Sequence, residues 1–186
     1  MSRVFVITGP SGVGKGTLIR GVLAQIPALE LSTSATTRAP RPGERDGVDY
    51  HYLSEEEFER RVGAGDFVEH ARYAGNRYGT LRSELERRTR EGVPVVLEIE
   101  VQGARQVREA LPDAVQVFIA PPSLDSLRAR LVGRGTDDDA EVERRLRTAE
   151  EELRAQGEFR HVVVNDRLED ATQALADIVQ RALEAP

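Results

Sequence analysis

The residues from Gly9 to Thr17 have the types and spacing of a loop that binds nucleotide phosphates. They read Gly-Pro-Ser-Gly-Val-Gly-Lys-Gly-Thr and directly follow the apolar run Val4–Thr8. Glycines let backbone N–H groups converge on phosphate oxygens, and a helix start adds the positive end of its dipole. Lys15 is the single lysine among 26 basic residues, and its ammonium can follow a migrating phosphoryl group. The alternative is a glycine-rich turn that binds no ligand.

The loop departs from the strict phosphate-loop pattern at one position. Gly16 stands directly after the lysine, where the strict pattern has serine or threonine, and Thr17 follows one residue later. Thr17 is therefore the candidate Mg²⁺ contact, directly or through water, and its hydroxyl alternatively shapes the helix start. The candidate site for nucleotide phosphates comprises Gly9, Pro10, Ser11, Gly12, Val13, Gly14, Lys15, Gly16 and Thr17.

Composition narrows the class of protein. The 186 residues are 39% hydrophobic, which suits a folded domain with a proper core. There is no cysteine, so disulfides and cysteine metal sites are excluded. A net charge of −6 argues against sequence-independent nucleic-acid binding. No apolar run has the length of a membrane span and no signal peptide is evident, so we expect a cytoplasmic protein without membrane or nucleic-acid partners.

Alternating apolar and amphipathic segments predict an α/β fold. Strands rich in Val and Ile, with little polar alternation, are typical of a parallel sheet covered on both faces. We expect a three-layer core: a parallel sheet with helices on both faces. The predicted strands are 4–8, 93–99, 114–120 and 161–164, with a further one near 29–33. The predicted helices are 16–26, 82–91, 103–111, 123–132, 139–156 and 168–184.

Two segments interrupt this alternation. Residues 34–81 are turn-rich, contain all four tyrosines and carry one helical pattern near 54–63, which predicts a small β-rich insert. Residues 126–147 are dense in charge and predict a mobile lid. One compact unit is expected, with core segments 1–33, 82–125 and 148–186 around the insert and the lid.

The insert has the residue types of a site for a phosphate monoester. Arg38 and Arg41 are three positions apart, flanked by hydroxyl residues, and can bind a dianionic phosphate in bidentate fashion. The hydroxyls of Tyr50 and Tyr78 can complete its shell. The equally open alternative is that both arginines are solvated and that the tyrosines only fill a small core.

Together these residues resemble the guanylate kinase family from end to end. The likeness covers the loop 9–17, the signature Ser34–Tyr50, Glu69, and the stretches Arg77-Tyr78-Gly79-Thr80, Glu98–Gly103, Arg134-Gly135-Thr136 and Val164-Asn165-Asp166. It implies an enzyme of purine nucleotide metabolism that transfers a phosphoryl group from ATP to GMP, giving ADP and GDP, with Mg²⁺. Use of dGMP is left open, as is the choice between monomer and homo-oligomer.

The resemblance also implies residue roles. It assigns GMP to Ser34, Arg38, Arg41, Tyr50, Glu69, Tyr78, Thr80 and Glu100, where the family usually has aspartate in place of Glu100. It assigns catalysis to Lys15, Arg38, Arg134 and Arg145, and the adenine region to Asn165. Guanine presents two adjacent donors, which suit a carboxylate such as Glu69. Mg²⁺ would bridge the ATP phosphates, with Glu98 or Glu100 holding its waters.

Three alternatives remain at this level. The first is that Arg134 and Arg145 have no catalytic role and are surface residues that form ion pairs with Asp137–Asp139 and Glu141. Another small-molecule kinase can share the scaffold, although Glu69, Thr80 and Glu100 complement guanine. A protein-binding module of the same fold is disfavoured by the intact loop 9–17.

Overall fold

A computed structural model describes residues 4–73, 75–132 and 139–185 of the chain. Strands and helices alternate through most of it, and no described helix is long and apolar enough to cross a membrane. In chain order the strands are β1 (Val4–Thr8), β2 (Glu30–Leu31), β3 (Ala35–Thr36), β4 (His51–Tyr52), β5 (Phe67–Tyr73), β6 (Asn76–Leu81), β7 (Val95–Glu98), β8 (Val115–Ala120) and β9 (His161–Val164). The helices are α1 (Lys15–Gln25), α2 (Glu55–Ala64), α3 (Arg82–Arg90), α4 (Val101–Ala110), α5 (Leu124–Val132), α6 (Asp139–Arg154), which a 3₁₀ turn (Ala155–Glu158) extends, and α7 (Leu168–Glu184).

The core is a parallel sheet with the strand order β2-β7-β1-β8-β9. Alternate side chains of the central strand β1 enter two different cores. Phe5 and Ile7 pack with α1, α5, α6 and α7, whereas Val4 and Val6 pack with α3 and α4. Because both faces are covered, every residue of β1 is buried and the strand lacks polar alternation. The predicted three-layer α/β core is confirmed.

The predicted elements exist, with shifts at their ends. Strands 4–8 and 161–164 have the predicted bounds, whereas the other two long core strands are shorter than predicted. The helix predicted over 103–111 begins at Val101, because Glu100 in extended conformation precedes it as the N-cap. The helix predicted over 139–156 ends at Arg154, where the backbone tightens into the 3₁₀ turn.

A second sheet, with the order β4-β3-β6-β5, lies within residues 35–81. Its small core contains Ala35, Phe58, Phe67 and Leu81, and the rings of Phe58 and Phe67 stack at 4.5 Å between centroids. The tyrosines are half-buried outside that core. They therefore do not serve as its filling, as the alternative reading of this segment required.

The segment predicted as a lid is described only in part. Most of α5 and the first nine of the sixteen residues of α6 fall within it, whereas Arg134 and the rest of 133–138 lie outside the described residues. The division into core, insert and lid, and the lid itself, stay predictions.

Candidate active site

A cavity of about 380 Å³ opens between the loop 9–17, the carboxyl ends of β2 and β7, and the smaller sheet. Five of its lining side chains are acidic, and one, Lys15, is cationic. Residues of the predicted phosphate-binding loop and residues of the predicted acceptor site both line this cavity. The lining includes Gly9, Ser11, Gly12, Gly14, Lys15, Gly16, Ser32, Ser34, Asp49, Tyr50, Glu69, Tyr73, Tyr78, Glu98, Glu100 and Glu152.

The loop between β1 and α1 requires its glycines. Gly9 has φ +136°, and a Cβ there would lie 2.2 Å from the carbonyl oxygen of Ile119. Gly14 precedes α1 in the left-handed region at φ +99°, and no side chain caps the first turn. No side-chain cap therefore competes with an anion at this helix start, where the positive end of the helix dipole lies.

Lys15 lies over the loop that it belongs to. Its Nζ donates hydrogen bonds to the carbonyl oxygens of Gly9 at 2.6 Å and Pro10 at 3.1 Å. Carbonyl groups thus hold the ammonium at the cavity wall. Phosphate oxygens can replace these carbonyls as acceptors, because a charged acceptor forms the stronger hydrogen bond.

The rear of the loop is supported from the other end of the chain. The carbonyl oxygen of Val13 accepts from Asn165 Nδ2 at 2.8 Å and from Arg130 Nη1 at 3.2 Å. Arg130 Nη2 also donates to the carbonyl oxygen of Asn165 at 2.7 Å. Asn165 is buried and engaged with the loop backbone, and its predicted contact with adenine stays a prediction.

Oxygen atoms suited to Mg²⁺ lie beside the first turn of α1. The carboxylate of Glu98 is so close to Gly16 that a Cβ on that glycine would lie 3.5 Å from Oε2. Thr17 is exposed, and its Oγ1 accepts from Arg20 Nη2 at 3.2 Å. Among the described residues, no group of three or more acidic, histidine or cysteine side chains can hold a metal. This arrangement fits an ion held mainly by phosphate and water, as Mg²⁺ usually is.

Arg38 is not a freely solvated charge. Its Nη2 donates to Glu44 Oε1 at 2.9 Å, and its guanidinium lies 5.2 Å from the ring centroid of Tyr50. Glu44 also accepts from the backbone N–H of Arg41 and from the hydroxyl of Tyr52, both at 2.7 Å. Hydrogen bonds from Arg38, Arg41 and Tyr52 lower the pKa of Glu44 to about 2. The Arg41 side chain is exposed.

Glu69 lines the cavity and forms a buried pair with Thr80. They face each other across β5 and β6, and Thr80 Oγ1 donates to Glu69 Oε1 at 2.7 Å. Only 4% of Glu69 is exposed, and burial raises its pKa to about 7 against the opposing hydrogen bonds from Thr80. A buried carboxylate of this kind is best stabilised by a ligand that brings hydrogen-bond donors.

Glu100 precedes α4 and lines the cavity between these two regions. Its burial and the neighbouring Glu152 carboxylate raise its pKa to about 7, whereas the charge of Lys15 acts in the opposite direction. The side chain therefore lies within electrostatic reach of both Lys15 and Glu69.

Arg145 contacts the loop. Its Nη2 donates to Ser11 Oγ at 2.8 Å, so this arginine bridges α6 and the candidate phosphate site. Its predicted companion Arg134 lies outside the described residues, as do Asp137 and Asp138 of the alternative surface pairing.

Three residues of the site were not singled out from the sequence. Glu44 holds Arg38 in an ion pair, although its place within the signature Ser34–Tyr50 predicts no role for it. Ser32 is 8% exposed, lines the cavity, and its Oγ has no hydrogen-bond partner among the described residues. Glu152 is one of three consecutive glutamates, a pattern typical of a solvated helix face, and only the fold brings it to the cavity.

Comparisons with known proteins give one family. A sequence model of the guanylate kinase family matches residues 1–182. Guanylate kinase from Synechococcus sp. strain CC9311 is 52% identical over 175 residues, which cover 94% of this chain and 92% of that protein. Guanylate kinase from Rubrobacter xylanophilus is 52% identical over 179 residues, covering 96% and 94%.

Solved structures agree. A crystal structure of guanylate kinase from Anaplasma phagocytophilum superposes with a TM-score of 0.77 at 31% identity, covering 99% of this chain and 87% of the other. A sugar kinase from Janibacter sp. HTCC2649 superposes with a TM-score of 0.57 at 15% identity, and the two chains are similar in fold alone.

Proposed function

Because the chain belongs to the guanylate kinase family and phosphorylates GMP with ATP, we propose that residues 9–17 hold the phosphates of ATP and that the segment 34–81 holds GMP. The observation that carries this division is the placement of Lys15 and Glu69 on the walls of one cavity, with Thr80 bound to Glu69. Phosphoryl transfer requires two nucleotides in line, and one shared cavity supplies the space for both.

The guanine base is held by Glu69, Thr80 and Glu100, with Ser34 beside them. Guanine N1–H and the N2 amine donate to the Glu69 carboxylate, which burial otherwise disfavours in its charged form. Adenine lacks this pair of adjacent donors and leaves the carboxylate unpaired. Sites of this type reject a mismatched analogue by about 10⁴.

The phosphate of GMP is held by Arg38, Arg41, Tyr50 and Tyr78. Support comes from the position of Arg38 against the Tyr50 ring and from the edge contact of the Tyr50 and Tyr78 rings, with centroids 6.1 Å apart. Glu44 holds the Arg38 guanidinium in place, so the cation is pre-positioned before the substrate arrives.

Charge neutralisation during transfer falls to Lys15, Arg38, Arg134 and Arg145. Five acidic side chains line the cavity beside one lysine, so the cations that stabilise the transferring group must come from its rim. Arg145 supports this role through its contact with the loop at Ser11. A lid over 126–147 that carries Arg134 and Arg145 would also exclude water.

Mg²⁺ is the metal that fits the oxygen donors near α1, and it would neutralise the ATP phosphates. We assign its water ligands to Glu98 and Thr17, since both oxygens of the Glu98 carboxylate lie close to Gly16, the residue before Thr17. Asn165 stays the candidate for the adenine end. A cytoplasmic location, the use of dGMP and the oligomeric state stay predictions.

The test is ADP production from ATP and Mg²⁺ in a coupled assay, with GMP, dGMP, AMP, CMP, UMP or no acceptor. We expect turnover with GMP and its loss when EDTA removes the metal. Turnover with another nucleotide in preference to GMP would overturn the assignment of Glu69 and Thr80 to guanine. Binding of GMP without its phosphorylation would favour the alternative of a protein-binding module with this fold.

A further inference from the structure

Strand β3 has only two residues, and the chain leaves the smaller sheet shortly before Arg38. The last residue of the strand, Thr36, faces Tyr78 across the pairing of β3 with β6. Arg38 follows two positions later, beyond the end of the strand. The placement of Arg38 relative to Tyr78, which are two proposed ligands of the GMP phosphate, therefore depends on contacts made just beyond the strand.

Two threonine hydroxyls continue the attachment where β3 ends. Thr36 Oγ1 donates to the carbonyl oxygen of Arg77 at 2.9 Å and accepts from the backbone N–H of Arg38 at 3.1 Å. Thr37 Oγ1 accepts from the backbone N–H of Arg77 at 3.0 Å, and the Thr37 N–H donates to the Arg77 carbonyl oxygen, also at 3.0 Å. Because Arg77 directly precedes Tyr78, these bonds join the backbone at Arg38 to the backbone beside Tyr78.

Thr36 is placed to hold its neighbours and not to bind a ligand. It is fully buried and does not line the cavity. Its carbonyl oxygen accepts from the N–H of Leu53 at 2.9 Å, so the residue is also fixed to the side of the sheet away from β6. A buried hydroxyl needs hydrogen-bond partners, and this one both donates and accepts. Its loss would leave the Arg38 N–H without this acceptor.

The side chains on the two joined segments come together over the tyrosines. The Arg38 guanidinium lies 5.2 Å from the ring centroid of Tyr50, and the Tyr50 and Tyr78 ring centroids are 6.1 Å apart. Glu44 orients the guanidinium and is itself bound to the hydroxyl of Tyr52 on β4. The attachment to β6, the strand that carries Tyr78, is made by the threonines.

We propose that Thr36 and Thr37 are positioning residues of the acceptor site, whose hydroxyls set the spacing between Arg38 and Tyr78 that the phosphate of GMP requires. The inference rests on the proposal that these two side chains bind that phosphate. The threonines act through the backbone of Arg38 and Arg77, and we assign them no contact with the nucleotide.

The test measures the Kd of GMP and of ADP separately by calorimetry. Thr36→Val removes the hydroxyl at nearly constant side-chain volume, and Thr36→Ser keeps the hydroxyl. Thr172→Val is the matched control, because this buried threonine on α7 donates to the carbonyl oxygen of Leu168 at 2.7 Å and does not line the cavity. We expect Thr36→Val to weaken GMP binding by about tenfold, the size of one hydrogen bond to a charged group. ADP affinity stays unchanged, and Thr36→Ser and Thr172→Val remain close to wild type.

A double-mutant cycle tests whether the effect passes through Arg38. If Thr36 acts by placing this arginine, Thr36→Val has little further effect on GMP affinity once Arg38→Ala has removed the guanidinium. Losses that simply add in the double variant overturn the proposal, because they show that Thr36 affects GMP by a route independent of Arg38.

Other outcomes also overturn the proposal. Wild-type GMP affinity in Thr36→Val does so, and so does an equal loss for GMP and ADP, which indicates a general structural defect. A Ser variant as weak as the Val variant excludes the hydroxyl as the cause. If Thr36→Val fails to fold, Thr37→Val at the half-buried neighbour replaces it with the same expectation. Arg38→Ala alone separates the two levels: unchanged GMP affinity there refutes the role of Arg38 in the phosphate site itself.

Discussion

Gly103 makes the room that the Glu69 carboxylate occupies. A Cβ at position 103 would lie 2.4 Å from Glu69 Oε2, closer than real side chains approach. Helix α4 passes behind the buried pair of Glu69 and Thr80, and its glycine is the point of contact. The position of the Glu69 carboxylate, on a strand of the smaller sheet, therefore depends on the missing side chain of Gly103. That glycine belongs to α4, a helix that packs against the larger sheet.

Gly103→Ala is the first test of this dependence. The added methyl displaces the Glu69 carboxylate, so we expect the KM of GMP to rise by about tenfold or more with the KM of ATP near wild type. Steady-state kinetics with each substrate varied in turn measure the two constants. Gly63→Ala in α2 is the control, because a Cβ there meets nothing within 4 Å. An unchanged KM of GMP in Gly103→Ala would remove Glu69 from base recognition.

Glu69→Gln should change how stability depends on pH. The folded chain holds the pKa of Glu69 near 7, whereas an unfolded glutamate titrates at about 4.3. Between these values the folded state binds more protons, so this group weakens the fold as pH rises through that window. Relative to wild type, the variant should therefore gain free energy of unfolding from pH 5 to pH 8.

Denaturant unfolding at pH 5, 6, 7 and 8 measures this difference. Glu109→Gln on the exposed side of α4 is the control and should show no such trend. A constant difference across the series would mean that Glu69 is ionised in the folded protein throughout.

GMP binding should release protons near pH 7. The donors of guanine stabilise the charged form of Glu69, so its raised pKa falls when the base arrives. Calorimetry in buffers of different ionisation enthalpy measures the release, which should shrink in Glu69→Gln. Part of it can persist there, because Glu100 also has a pKa of about 7. A binding enthalpy independent of buffer in the wild type would contradict the assignment.

Glu44→Gln should weaken the binding of GMP without changing the binding of ATP. Glu44 keeps its charge to about pH 2 and holds both Arg38 and the backbone of Arg41. The amide cannot match a charge-assisted bond, so we expect the KM of GMP to rise by about three- to tenfold. Glu57→Gln removes a comparable surface pair with Arg60 and Arg61 on α2 and serves as the control. Equal effects of the two variants would show that Glu44 has no special role.

The parts of the site that could be predicted from the sequence are local in the chain. The loop 9–17 is a contiguous pattern of glycines and one lysine, and β1 is a continuous apolar run because both of its faces are covered. The turn residues and tyrosines of residues 34–81 predict the β-rich character of that segment. They do not predict its small core, since Phe58 and Phe67 come from a helix and a strand that meet only on folding.

The residues that escaped prediction are those whose role depends on distant chain segments. Glu150, Glu151 and Glu152 are identical in type, and only the rotation of α6 decides that the last one faces the cavity. Gly103 was quoted as part of a motif, but the reason for it is a carboxylate on β5. Sequence spacing carries no information about such contacts.

The support of Val13 by Asn165 and Arg130 has a consequence for synthesis of the chain. The loop is synthesised before the side chains that brace it from behind, because Arg130 and Asn165 follow Val13 by 117 and 152 residues. Strand β1 likewise waits for β7 and β8 before it has neighbours on both sides. A nascent chain therefore carries the complete loop sequence long before it has the braced loop, and the loop proposed to bind phosphate gains this support only once β9 has joined the sheet and placed Asn165.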